Sequence, residues 1–207
     1  KVDGKDRPTT NSNGQPIHPT EEGVRNFWKW FGDSKVVDEN GKPLVVYHGT
    51  KSEFSVFDRE KAGGRPGSTL GFFFTPKNEL ANAYGPNVID AYLRINNPYT
   101  MDVDELQSIQ GPKAGEATRQ RLIDADHDGI QVKLSGTAEP FAYIAFTPEQ
   151  IKSAIGNRGT FDPANPNIGF SRSAAATDLN TKARRPEERR GGQEADRGWR
   201  SRWSPKQ

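Results

Sequence analysis

The chain has no cysteine among its 207 residues, which excludes disulfides, thiolate chemistry and cysteine-based zinc sites and leaves either redox compartment open. An excess of one charge sign is missing too. With 29 Lys and Arg against 27 Asp and Glu, the net charge is +2 and carries no global nucleic-acid signature. Apolar residues make up 32% and mean hydropathy is −0.87, and no window approaches the apolar length that crosses a bilayer. The opening Lys1-Val2-Asp3-Gly4-Lys5 lacks the apolar h-region of a signal peptide, so a soluble protein without membrane contact is expected. The one methionine is Met101, and the chain is therefore expected to be a domain, or processed piece, of a longer polypeptide.

Turn chemistry is abundant, with 21 Gly and 15 Pro, so part of the chain is expected to stay unpacked. Three regions follow. Residues 1–19 form a polar arm without an apolar periodicity that would place them in a core. Residues 20–170 carry the folded domain. Residues 171–207 are rich in Ser, Ala, Arg, Glu and Gly, including Lys182-Ala183-Arg184-Arg185-Pro186-Glu187-Glu188-Arg189-Arg190, and read as a disordered tail or linker. Trp199, Arg200, Arg202 and Trp203 in this tail interleave aromatics and cations, a pattern able to stack on bases and grip phosphates.

Within the domain, Thr20 is the expected N-cap of a helix. Glu21 and Glu22 complement its dipole, Val24, Phe27, Trp28 and Phe31 form a core-facing stripe, and Gly32 is the stop. Strands are expected at 36–37, 44–47, 71–75, 88–95, 129–134 and 141–146, with helices at 79–84, 116–125 and 148–155. The loop Gly63-Gly64-Arg65-Pro66-Gly67 fits a lid over a site or an ordinary surface connection equally well. Asp124-Ala125-Asp126-His127-Asp128-Gly129 opens like a calcium loop, but Ser135 stands where the bidentate Glu is required, so a turn and no metal site is expected.

Three ordered blocks carry the chemistry: Tyr47-His48-Gly49-Thr50-Lys51, the run from Gly71-Phe72-Phe73-Phe74-Thr75 to Tyr84, and Ala142-Tyr143-Ile144-Ala145-Phe146-Thr147-Pro148-Glu149-Gln150-Ile151-Lys152. Together, over roughly 35–155, they resemble the ADP-ribosyltransferase superfamily in its diphtheria-toxin-like and poly(ADP-ribose)-polymerase-like branch. The flanks are most similar to such domains in polyvalent proteins of phages and mobile elements. The resemblance implies an α+β fold of split antiparallel β-sheets with short helices around an NAD cleft, NAD as substrate, and mono-ADP-ribosyl transfer of toxin or effector type. Action would be in the cytoplasm or inside a host cell that receives the protein, on an acceptor of protein or nucleic acid.

By the same resemblance His48 positions the dinucleotide and Gly49 holds the carboxamide through its backbone. Thr50 assists, and Phe73 and Tyr84 sandwich the nicotinamide ring, with Gly71 and Phe74 beside them. Arg65 and the arginine-rich tail are candidate phosphate contacts. The family's catalytic glutamate falls on Ala142, whose methyl group cannot bond a ribose hydroxyl or stabilise an oxocarbenium-like charge. Loss of such a partner costs about 10²–10³ in rate. Glu139 and Glu149 lie too far along the chain to replace it without rearranged backbone. Two other readings stay open: an NAD- or nucleotide-binding module without chemistry, and an RNA-cleaving toxin with His48 as general base.

Overall fold

Helix α1 (Glu21–Phe31) starts as its sequence predicts, because the Thr20 hydroxyl accepts the Gly23 amide, and it ends at Gly32. Its aromatic stripe is core, with Phe27, Trp28, Trp30 and Phe31 all buried. The structure is a computed structural model that describes residues 4–61 and 68–169. The glycine-rich loop with Arg65, and the tail 171–207, lie outside the described residues.

Two sheets follow. The first has the order β1 (Val46–Thr50), β3 (Asn87–Leu93), β7 (Ile151–Ser153). The second has the order β2 (Phe72–Phe74), β6 (Pro140–Ala145), β5 (Gly129–Lys133), β4 (Pro98–Asp102). Pairing is antiparallel except between β4 and β5. That parallel pair needs a crossover, supplied by α3 (Val103–Ser108) and α4 (Gly111–Asp124). A short α2 (Asn78–Asn82) follows β2. The α+β architecture matches the expectation, with this one parallel pair added.

Period-2 alternation sorts the side chains into three apolar layers. Val46, Phe72, Phe74, Ala91, Leu93, Tyr143, Ala145 and Ile151 meet between the sheets. Behind the first sheet, α1 packs with Val45, Tyr92 and Phe161. Behind the second, Leu106, Ile109 and Leu122 from the crossover segment cover Met101, Ile130, Val132, Ala142 and Ile144.

Several local expectations change. The helix expected over 148–155 is a single 3-10 turn, Pro148–Gln150, followed by β7. Tertiary bonding decides this: Gln150 is buried, its Oε1 accepts the Phe146 and Thr147 amides, and its Nε2 donates to the Arg94 and Asp128 carbonyls. The next residues are then free to complete the sheet against β3. Helix α4 starts at Gly111 instead of 116, and β4 and α3 were not expected at all. A start signal for α3 was present, since Asp102 caps the Glu105 amide at 2.7 Å. The polar arm is also tied down. Ile17 is buried in the α1 layer, Asn11 donates to the Tyr92 hydroxyl and the Trp28 indole donates to the Pro8 carbonyl. The calcium-like segment is a turn, in which the Asp128 carboxylate accepts the Asn96 and Asn97 amides.

Candidate active site

Strand β1 is specified locally. The Asp38 carboxylate accepts the Asn40 and Lys42 amides to form the preceding turn, and the β-branched Val45 and Val46 then extend into the sheet. Among the described residues the two sheets join edge to edge at one bridge: the Tyr47 amide donates to the Thr75 carbonyl at 2.8 Å and the Thr75 amide returns to the Tyr47 carbonyl at 3.0 Å. Beyond that bridge β1 and β2 no longer pair. Because backbone groups alternate direction, Tyr47 facing β2 means that Gly49 faces the same way, while Val46, His48 and Thr50 pair with β3. The Gly49 N–H and C=O are therefore directed into the split between the sheets, toward Phe73.

His48 closes the inner side of this split. Its Nδ1 lies 2.8 Å from the Phe73 carbonyl oxygen, which can only accept, so Nδ1 carries the proton and Nε2 keeps its lone pair. Phe54 and Phe57 meet the ring edge-on and Phe74 meets it at a tilt, with centroids 6.3, 5.0 and 5.4 Å away. Burial among these rings pushes the His48 pKa below the ordinary histidine value, against a smaller opposing effect of the Phe73 bond. His48 is thus a neutral, oriented imidazole.

The shift has a sign that thermal unfolding can read. A histidine in the unfolded chain titrates near pH 6.5, whereas folded His48 resists protonation, so just below that pH the unfolded state binds more protons. Its contribution to stability is complete above about pH 7 and is lost as pH falls below about 6.5. Asp90, whose pKa burial raises, works with the opposite sign at lower pH. Comparing the melting curves of the parent and His48→Asn isolates the histidine: the variant should lose part of the parent's acid-side slope, and equal slopes would remove the assignment.

Gly49 is needed for space. A Cβ there would stand 1.8 Å from the Ala81 carbonyl oxygen and 3.1 Å from the Tyr84 Cβ, so the end of α2 rests directly on the β1 backbone. This close approach sets the root of Tyr84 above Gly49, and Tyr84 itself is 51% exposed. Phe73 shares the outer face of the second sheet with Ala142 and Ile144, and is only partly buried. Tyr84 is thus placed beside the Gly49 backbone, while the Phe73 side chain packs with the layer beneath the crossover helices.

Other predicted residues do different work. Phe74, 1% exposed, faces the inter-sheet layer and supports His48. Gly71 allows β2 to approach β6, since a Cβ there would meet the Ala145 carbonyl oxygen at 2.2 Å. The Thr50 hydroxyl accepts the Ser52 amide and donates to the Ser52 carbonyl. Ala142 lies on β6 opposite Val132, 7% exposed in the layer under the crossover helices. Glu149 sits in the 3-10 turn at the far end of β6 from Ala142, as Glu139 precedes that strand. Among the described residues no group of three or more His, Asp or Glu side chains could hold a metal ion, and no helix is long and apolar enough to cross a membrane.

Sequence reasoning gave Thr75 no role. Its signal was its place directly after the three phenylalanines, where a β-branched hydroxyl residue leaves a buried strand for a helix start.

A family model described as ADP-ribosyltransferase in polyvalent proteins matches residues 38–161, more than half of the chain. No curated protein matches it.

Proposed function

The chain belongs to this family of ADP-ribosyltransferases, and from that premise we propose that it binds NAD in the split between β1 and β2, at a site whose catalytic carboxylate is missing. The observation that carries the reading is the open ladder beyond the Tyr47–Thr75 bridge. There Gly49 offers one backbone donor and one acceptor side by side, a match for the two groups of a carboxamide. Stacking on Phe73 and Tyr84 holds the ring. His48, neutral and fixed through Phe73, presents Nε2 as an acceptor for a ribose hydroxyl.

In an active member of the family the nicotinamide–ribose bond ionises and a nucleophile attacks C1′. This chain's residues then bind and orient the dinucleotide, and a carboxylate from the position of Ala142 would bond the ribose 2′-hydroxyl and stabilise the developing positive charge. We extend the reading to mono-ADP-ribosyl transfer of toxin or effector type onto a protein or nucleic-acid acceptor. One observation favours a second reading, an NAD-binding module without chemistry: the Ala142 methyl is packed as part of an apolar layer. The RNA-cleaving alternative gains no support from the family match.

Calorimetric titration of the full chain with NAD tests the site. Binding that free nicotinamide competes away is expected, and Tyr84→Ala should weaken it by about tenfold, the worth of one aromatic stack of about 1–2 kcal/mol. Tyr84→Phe keeps the ring and should stay much closer to the parent. Absence of NAD binding by the folded parent, or undiminished affinity in Tyr84→Ala, would overturn the placement.

A further inference from the structure

We propose that Thr75 is a positioning residue for this site, holding position 142 and the helix α2 that leads into Tyr84 in register with the His48-Gly49 strand; the inference rests on the NAD-site reading above. Three elements converge on Thr75. Its backbone makes both hydrogen bonds of the bridge to Tyr47, the one point at which the sheets are joined edge to edge among the described residues. Its hydroxyl donates to the Phe141 carbonyl at 3.3 Å, fixing the peptide that leads into Ala142. The same hydroxyl accepts the Lys77 amide at 3.3 Å.

The Lys77 bond matters because Lys77 is the N-cap of α2 and has no side-chain cap of its own. The Thr75 hydroxyl thus takes part of the capping role, at the start of the helix whose other end lies on Gly49. Thr75 is only 7% exposed, so water is a poor substitute for these partners.

Register places Thr75 where a positioning group is useful. Phe73 is opposite Ile144 and Phe74 opposite Tyr143, so the same register continued one residue past β2 puts Thr75 across from Ala142. Asp90 on β3, Tyr47 on β1, Thr75 just past the end of β2 and Ala142 on β6 then line up, with the split opening on one side. A glutamate at 142 would have Thr75 as its cross-strand neighbour. Its backbone would be held through Phe141 by the residue that also holds Tyr47 beside His48. Displacements of about 1 Å at reacting groups cost on the order of 10²-fold in rate, so small freedom at this row is amplified.

The test uses the full chain carrying Ala142→Glu, with Thr75→Val, which keeps the β-branched shape and removes the hydroxyl, and Thr75→Ser, which keeps the hydroxyl. Thr75→Val is expected to lower kcat for nicotinamide release by about tenfold or more with a smaller change in KM, and Thr75→Ser to recover most of it. Hydrogen exchange read without NAD should rise in Thr75→Val at 77–84 and 140–143, and stay at the parent level in β3 and β5. Unchanged kcat and exchange in Thr75→Val, or a Thr75→Ser chain as impaired as Thr75→Val, would overturn the assignment while leaving the NAD site standing. A parent that binds no NAD would remove both readings together.

Discussion

Ala142→Glu is expected to raise nicotinamide release from NAD by about 10²–10³ over the parent, the usual worth of one preorganised electrostatic partner. The gain should depend on His48: adding His48→Ala should bring the rate back toward the parent, because the carboxylate acts only on a dinucleotide held in place. The substitution also carries a structural cost. Ala142 is packed among Leu70, Met101, Val132 and Ile144, and a carboxylate must leave that layer for the split or bear about 1–3 kcal/mol of desolvation. A lower melting temperature with a higher turnover is therefore the expected pair of results. Partial burial would raise the new carboxyl's pKa, moving the acid limb of the rate profile above the ordinary glutamate value near 4.3. A folded Ala142→Glu chain that binds NAD and releases no nicotinamide would leave the binding-module reading in possession.

Gly49→Ala should have the second large effect, and for a mechanical reason. The added methyl would stand 1.8 Å from the Ala81 carbonyl oxygen and 2.7 Å from its carbon. Both atoms are backbone, so no side chain can rotate away and α2 must lift off β1. Overpacking of this kind costs about 1–3 kcal/mol, which in a domain of this size lowers Tm by roughly 2–12 °C. Lifting α2 also carries Tyr84 away from Gly49, so NAD affinity should fall by more than the roughly tenfold expected for loss of the Tyr84 ring alone. Calorimetry alongside thermal unfolding separates the two consequences. Parent-like affinity in a folded Gly49→Ala chain would show that α2 contributes nothing to the site.

The start and stop of α1 and the order of the candidate-site blocks were legible because they rest on local chemistry and residue order. Thr20 capping α1, Glu21 and Glu22 in its first turn and Gly32 at its end are short-range effects that a linear reading captures. Three blocks of residues in order were also enough for the family resemblance, and the match over 38–161 bears it out. The absence of a carboxylate at 142 is likewise a property of the sequence, independent of how the chain folds.

What only the tertiary structure decided concerns groups whose partners lie far along the chain. The segment after Pro148 has the composition of a helix start, yet Gln150 spends its side chain on carbonyls of Arg94 and Asp128, and the next three residues become an edge strand. Phe72, Phe73 and Phe74 are identical in sequence, and only the pairing with β6 turned Phe73 toward the outer face and its neighbours into the core. Gly49 reads as backbone access for a ligand, but the carbonyl of Ala81 that makes glycine obligatory there arrives from another element. Thr75 is the clearest case: its residue type is unremarkable in a list, and its role comes from standing where β1, β6 and α2 meet. Local propensity determined which residues could build the site. Long-range hydrogen bonding and close backbone contact determined where each of them faces.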